Sequence, residues 1–306
     1  VQIATTHSAE CIDVLSIIDL EPLFEKLYHS KTEWIVHSAR QDIESLYHLS
    51  KRLPSSLFDT QIAASLLNYP VQISYQALTE ILQDVYLDKS HTRYDWTKRP
   101  LPKDVVEYAL DDVRYLLPNF KKLKHELTIS KKIQWLDEET RFLLDTELYN
   151  PNIEQICYKT KGLSRLDNKF QVKAIKLAAW RESNAQQKNK PRKWIMSDEK
   201  LLDYACGKSK LSTRSKKLFD DFVKESSETL SLTELLTPQK PLTSSEKNKK
   251  NELQGLINSI AEAYNLRPEV ISTSKSLIRF MRGDLSAPLC NGWRSKLFNK
   301  EELNAK

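Results

Sequence analysis

Apolar positions in the first part of the chain follow two spacings. Trp34-Ile35-Val36-His37 is a compact run of strand type, and Ile43, Leu46 and Tyr47 after it fall on one face of a helix. Val1-Gln2-Ile3-Ala4 reads as a strand already under way. Further helical faces carry Ile62, Leu66 and Leu67, then Leu78, Ile81, Leu82 and Val85. A fourth helix is predicted from Pro102 through roughly Leu127, since proline suits a first turn. This alternation over residues 20–127 predicts a sheet flanked by helices.

Beyond residue 127 only helical spacing remains. Residues 131–146 carry Ile133, Leu136, Phe142 and Leu143 at helical intervals, and Asn150-Pro151-Asn152 with the polar stretch 159–166 makes a connector. A helix through Val172, Ile175, Leu177, Ala178 and Trp180, a basic loop Lys188-Asn189-Lys190-Pro191-Arg192-Lys193, and a helix opening at Ser197-Asp198-Glu199 make a compact bundle. Trp180 and Trp194 lie among helix-period apolar residues and are expected in its core rather than against a nucleic-acid base. The polar stretch from Thr237 through Lys250 reads as a linker, after which residues 251–306 repeat the helical style.

Composition narrows the function. The 306 residues, 40% hydrophobic and 29% charged, suit a globular chain of two or three domains. Only five glycines occur, none before Gly162, which excludes the glycine-rich phosphate loops of Walker and dinucleotide-binding enzymes. The four cysteines, Cys11, Cys157, Cys206 and Cys290, are too far apart for a zinc knuckle or a disulfide framework, and a reducing cytoplasm is expected. No segment has the apolar length to span a bilayer, and no membrane association is expected. The net charge of +6 is unevenly placed: residues 1–127 hold 14 Lys and Arg against 18 Asp and Glu, and residues 128–306 hold 33 against 23. Acids at one end and cations at the other suit metal chemistry in the first part and polyanion capture in the second, although solvated lysines explain the charge alone equally well.

The chemistry-bearing segment is Glu107-Tyr108-Ala109-Leu110-Asp111-Asp112, placed on a helix. Tyr108 and Asp112 are four residues apart and share a face, whereas Asp111 is rotated from Asp112 by about 100°. Such a spacing taken alone is also that of an ordinary helix with surface acids. Asp42 follows the apolar strand at the start of a helix, where an acid is commonly a cap or first-turn residue. The loop Lys89-Ser90-His91-Thr92-Arg93-Tyr94-Asp95-Trp96-Thr97-Lys98-Arg99-Pro100-Leu101 adds cations for phosphate and a tryptophan expected to pack.

Four segments in order, His37-Ser38-Ala39-Arg40-Gln41-Asp42-Ile43-Glu44, Phe58-Asp59-Thr60-Gln61, Lys89 to Leu101, and Tyr108 to Leu117, resemble bacterial ribonuclease D, a DEDD-superfamily 3′→5′ exonuclease of the tyrosine subclass. Leu177-Ala178-Ala179-Trp180-Arg181-Glu182 with Pro191 to Glu199 resembles a helicase-and-RNase-D C-terminal (HRDC) domain, and Gly292-Trp293-Arg294 the close of a second, degenerate one. The resemblance implies an α/β ribonuclease H-like exonuclease domain over 1–127, with a mixed sheet and an incomplete N-terminus. A helical connector over 128–166 would follow, then an all-α HRDC bundle over 167–241 and a second HRDC-like helical domain over 242–306.

It further implies two divalent metal ions, Mg²⁺ or Mn²⁺, held by four carboxylates, with Asp42 and Asp112 as ligands and Tyr108 orienting the attacking water. RNA, above all tRNA precursors and other small structured RNAs, is the implied substrate, with Lys89 and Arg93 facing it. Lys190, Arg192, Lys193, Arg214, Lys216 and Lys217 are expected to contact RNA phosphates, and the chain is expected to be a monomer. The alternatives are a DNA exonuclease of the same superfamily and a noncatalytic RNA-binding protein. One departure stands out. The family's first motif, an Asp-x-Glu on a strand ahead of the one resembling Val1-Gln2-Ile3, is absent, and Asp13 and Asp19 do not replace it. The expectation is that the 306 residues are a fragment with half of the acid set and little activity.

Overall fold

The chain divides into two units, residues 1–146 with 243–306 and residues 147–242. The computed structural model describes residues 1–88, 90–150, 152–225, 236 and 240–298. Strands β1 (Gln2–Ala4) and β2 (Ala9–Cys11) pair antiparallel, Ile3 opposite Glu10. Helix α1 (Glu21–Leu27) leads into β3 (Glu33–Val36), α2 (Arg40–Ser50), β4 (Ser56–Asp59) and α3 (Thr60–Leu66), and β3 and β4 run parallel with Val36 opposite Asp59. Among the described residues these strands form two separate two-stranded sheets rather than one mixed sheet. Each strand is only three or four residues long.

After α4 (Tyr75–Gln83), the single helix expected from Pro102 to Leu127 is two, α5 (Lys103–Arg114) and α6 (Leu116–Ile129), broken at Tyr115. Pro118 supplies the reason: it has no N–H, and its ring would strike the carbonyl of residue 114 in a continuous helix. The freed backbone is met by Tyr75, whose hydroxyl donates to the Asp111 carbonyl at 3.0 Å and accepts from the Tyr115 N–H at 3.1 Å. Helix α7 (Ile133–Arg141) follows.

The second unit contains α8 (Ile153–Tyr158), α9 (Asn168–Gln187), α10 (Arg192–Ile195), α11 (Asp198–Ala205) and α12 (Thr213–Glu225). Helix α9 is its axis, burying Ala174, Ile175, Leu177, Ala178 and Trp180 against Leu201 and Phe219. Ser197 caps α11 by accepting the Lys200 N–H, as its place before an acidic turn foretells.

The chain then returns to the first unit through α13 (Ser244–Ala263), α14 (Pro268–Ile271), α15 (Ser274–Met281) and α16 (Gly292–Ser295). The polar stretch expected to be a linker as far as Lys250 is already helical from Ser244. Thr243 and Glu246 form a reciprocal capping box, a signal that composition alone hides. The segment 242–306, which the sequence set apart as a domain, instead contributes to one core with the nuclease portion: Leu66, Leu123, Leu127 and Leu136 pack with Ile257, Ile271, Leu277 and Trp293.

Polar contacts fix this union. Trp135 stacks on Trp293 with centroids 4.4 Å apart, Glu139 accepts from the Trp293 indole at 2.8 Å and from Arg294, and Glu138 accepts the Trp293 N–H at 2.7 Å. The Glu138 carboxylate lies over Gly292, whose φ is +60°, so a side chain there would meet both strain and the carboxylate. Lys132, 5% exposed, donates to the carbonyls of Leu66, Tyr264 and Asn265 at 2.8, 2.8 and 3.2 Å, joining the C-terminal ends of α3 and α13. Burial lowers its pKa to about 8, which leaves it mainly an ammonium at neutral pH with all three protons in use. Lys132→Met therefore strands three carbonyls and is expected to lower stability by about 2–4 kcal/mol, measured by urea unfolding.

Candidate active site

The junction between β3 and α2 is built on a buried carboxylate. Asp59, 2% exposed, closes β4 and accepts N–H bonds from Ser38 at 3.1 Å, Ala39 at 2.8 Å, Gln61 at 2.8 Å and Ile62 at 3.3 Å. It thus caps α3 and holds the turn into α2 at once. Ser38 has φ +62°, an uncommon conformation for a residue with a side chain, and its N–H is one of the four that Asp59 binds. Beside it the His37 ring bridges Thr60 Oγ1 at 2.9 Å and the Ile73 carbonyl at 3.0 Å, and burial lowers its pKa. With the turn fixed, Asp42 stands in the first turn of α2.

Asp112 comes from α5, which packs on β1 and β2. Asp42 and Asp112 are both open to solvent on one side, yet surrounding protein desolvates them and raises both carboxyl pKa values. The negative charges of Asp59 and Asp112 raise Asp42 further, and that of Asp111 raises Asp112. Asp42 and Asp112, seventy residues apart in sequence, are therefore within each other's field. Asp111 is committed elsewhere, paired with Arg114, which also binds Glu107 at 2.8 Å. Asp13 is likewise taken: Arg99 holds it through two bonds, at 2.6 and 2.7 Å, and keeps its carboxyl well below the usual range.

Tyr108 lies one turn before Asp112, and its hydroxyl meets Thr92 Oγ1 at 3.1 Å. Its ring sits among His91 and Trp96, with centroids at 5.6 and 6.2 Å, and Tyr94 packs on both of those rings. Trp96, expected to be a packing anchor, is 37% exposed within this aromatic group. Arg93 is exposed on the same loop, and Lys89 lies outside the described residues.

Hard carboxylate oxygens suit a divalent cation, and a cation beside Asp42 or Asp112 would favour the charged form that burial and the neighbouring acids disfavour. Yet among the described residues no three Asp, Glu, His or Cys side chains converge, so the donors fall short of a full two-metal set.

In the second unit Lys190, Arg192 and Lys193 are exposed around α10, and Arg214, Lys216 and Lys217 are exposed on α12. Trp180 is buried, but Trp194, expected in the core, is 75% exposed. Helix α10 is a single turn with no buried residue of its own, and it is Met196, directly after it, that enters the core. Asp59, Thr92 and Tyr75 were missed as site-forming residues by sequence reasoning. Only the run Phe58-Asp59-Thr60, an Asp between an apolar strand and a helix, carried a local signal of a cap.

The 3′-5′ exonuclease family DNA_pol_A_exo1 matches residues 1–128. Ribonuclease D of Bartonella henselae is 33% identical over 98% of this chain and 79% of its own length, and ribonuclease D of Nitrobacter hamburgensis is 31% identical over 100% and 84%. In three dimensions the chain is similar to Escherichia coli RNase D, described as an exoribonuclease involved in structured RNA processing. The TM-score is 0.82 at 24% identity over 99% of this chain and 86% of that one, a likeness of fold.

Two outcomes test this geometry. Asp59→Ala orphans four N–H groups and is expected to cost roughly 3–5 kcal/mol in chemical unfolding. Because the folded pKa values of Asp42 and Asp112 are raised, the folded chain binds more protons than the unfolded one just above the ordinary carboxylate range. Their contribution is most favourable in acid and declines as pH rises through the raised values. Asp42→Asn should accordingly raise the thermal midpoint at neutral pH, with the gain vanishing below about pH 4. A lowered midpoint at neutral pH would refute the repulsion.

Proposed function

The chain belongs to the ribonuclease D family and is an exoribonuclease, and we propose that it trims the 3′ ends of tRNA precursors and similar small RNAs with two divalent ions, Mg²⁺ or Mn²⁺. The observation that supports this reading is that Asp42 and Asp112, from separate motifs of an exonuclease fold, are both solvent-exposed and the charge of Asp112 acts on Asp42. These two carboxylates would hold the ions together with two further acids. Bound metal supplies the Lewis acidity that activates water and stabilises the leaving 3′ oxygen. Tyr108, its hydroxyl held at Thr92 one turn from Asp112, orients the attacking water. Arg93, and Lys89 beside it in sequence, neutralise phosphate near the 3′ end.

The second unit captures RNA. It holds 19 Lys and Arg against 12 Asp and Glu, whereas the first unit is nearly balanced at 28 against 29. Lys190, Arg192, Lys193, Arg214, Lys216 and Lys217 contact phosphates without reading sequence, which suits an exonuclease working on varied RNA. Residues 167–241 are read as an HRDC domain and the segment 242–306 as a second, degenerate copy fused to the nuclease core. The chain acts as a cytoplasmic monomer.

A second reading follows from the short donor set. Neither β1 nor β2 carries an Asp-x-Glu, and a nuclease limited to Asp42 and Asp112 would bind RNA but hydrolyse it slowly. Hydrolysis of a 3′-extended RNA is expected to rise when an N-terminal strand bearing Asp-x-Glu is supplied, and robust cleavage without it would overturn this point. In the supplemented chain Asp112→Asn should lower cleavage at least about a hundredfold while RNA binding persists. Matched RNA and DNA oligonucleotides separate the ribonuclease from a DNA exonuclease.

A further inference from the structure

Trp194 is the most exposed aromatic of the second unit, at 75%, and among the described residues its indole makes no ring contact and no hydrogen bond. Exposing a whole indole forgoes hydrophobic stabilisation, so its surroundings matter. Lys188, Lys190, Arg192 and Lys193 lie within six residues of it and all are exposed, while positions 183–197 contain no acid. Arg192 pairs with Glu182 at 3.4 Å, and its charge also acts on Asp198.

The backbone that presents the ring is held on several sides. The Trp194 N–H donates to the Pro191 carbonyl at 2.8 Å, and the Met196 N–H to Arg192 at 3.0 Å. The Met196 carbonyl accepts from the buried Arg181 at 3.1 Å. Asn189, at φ +46°, ends α9, and the Lys190 N–H returns to the Ala185 carbonyl at 2.9 Å. A fixed, free aromatic face amid exposed cations, of which Arg192 alone pairs with an acid, Glu182, matches what a nucleobase and its phosphate require. An acidic peptide would engage the cations and leave the indole unused.

We propose that Trp194 is a stacking platform for a base of single-stranded RNA, with Lys190, Arg192 and Lys193 holding the adjoining phosphates. The proposal rests on the reading that this unit captures RNA and adds a contact that charge alone does not supply. Affinity of the whole chain is measured by fluorescence anisotropy in EDTA, which prevents cleavage. The probes are an oligoadenylate of about ten nucleotides, an abasic ribose-phosphate oligomer of equal length, and polyglutamate.

Trp194→Ala is expected to weaken oligoadenylate binding roughly tenfold, to leave the abasic oligomer and polyglutamate within about twofold, and to keep the thermal midpoint. Trp194→Phe should restore most of the affinity. Lys190→Gln should instead weaken all three probes and flatten the salt dependence. Unchanged oligoadenylate binding by Trp194→Ala, or an equal loss on the abasic oligomer, overturns the stacking role. If the unsubstituted chain fails to bind oligoadenylate, RNA capture itself fails, and that result is distinct from a loss confined to the variant.

Discussion

One buried carboxylate sets the frame of the nuclease unit. Asp59 gathers four backbone N–H groups from two chain reversals, so the end of β3, the start of α2 and the start of α3 share a single anchor. The parallel register of β3 and β4 places Val36 opposite Asp59, which brings Ser38 and Ala39 within reach of its oxygens. The left-handed Ser38 and the position of Asp42 both follow from that anchor. Asp59 also adds negative charge near Asp42, so the residue that positions the candidate ligand helps to raise its pKa.

The other half of the candidate site depends on a helix break. Pro118 forbids one continuous helix, and Tyr75 occupies the gap by bonding the Asp111 carbonyl and the Tyr115 N–H. Helix α5 then ends at Arg114, whose guanidinium pairs with Glu107 and Asp111, whereas the charge of Asp112 acts on Asp42. Of two adjacent aspartates, a local ion pair thus decides which is free. Thr92 and the His91, Tyr94 and Trp96 rings do the same for Tyr108, fixing its hydroxyl from a loop rather than from its own helix.

The distribution of charge changed its meaning with the fold. Divided by chain position, the excess of cations belongs to everything after residue 127. Divided by unit, that excess belongs to residues 147–242, because residues 243–306 are part of the nuclease body. That incorporation is held by Lys132, which joins the end of α3 to the end of α13, and by Glu138 and Glu139 on the α16 turn, and every contact to the last helices spans more than 120 positions.

The sequence by itself determined the element types and the order of the motif segments, because helical and strand periodicities and a Tyr-x-x-x-Asp face are local properties. Pro118 and the Thr243-x-x-Glu246 box were also written there, although apolar spacing and polar composition overrode them in the sequence reading. Tertiary structure alone decided that Asp59 serves two helices, that Asp111 is diverted, that Trp194 faces solvent and that the last helices join the nuclease core. Each of these turns on partners brought together from distant positions, or on which side of a single helical turn the core happens to lie. Spacing along the chain carries no information about either.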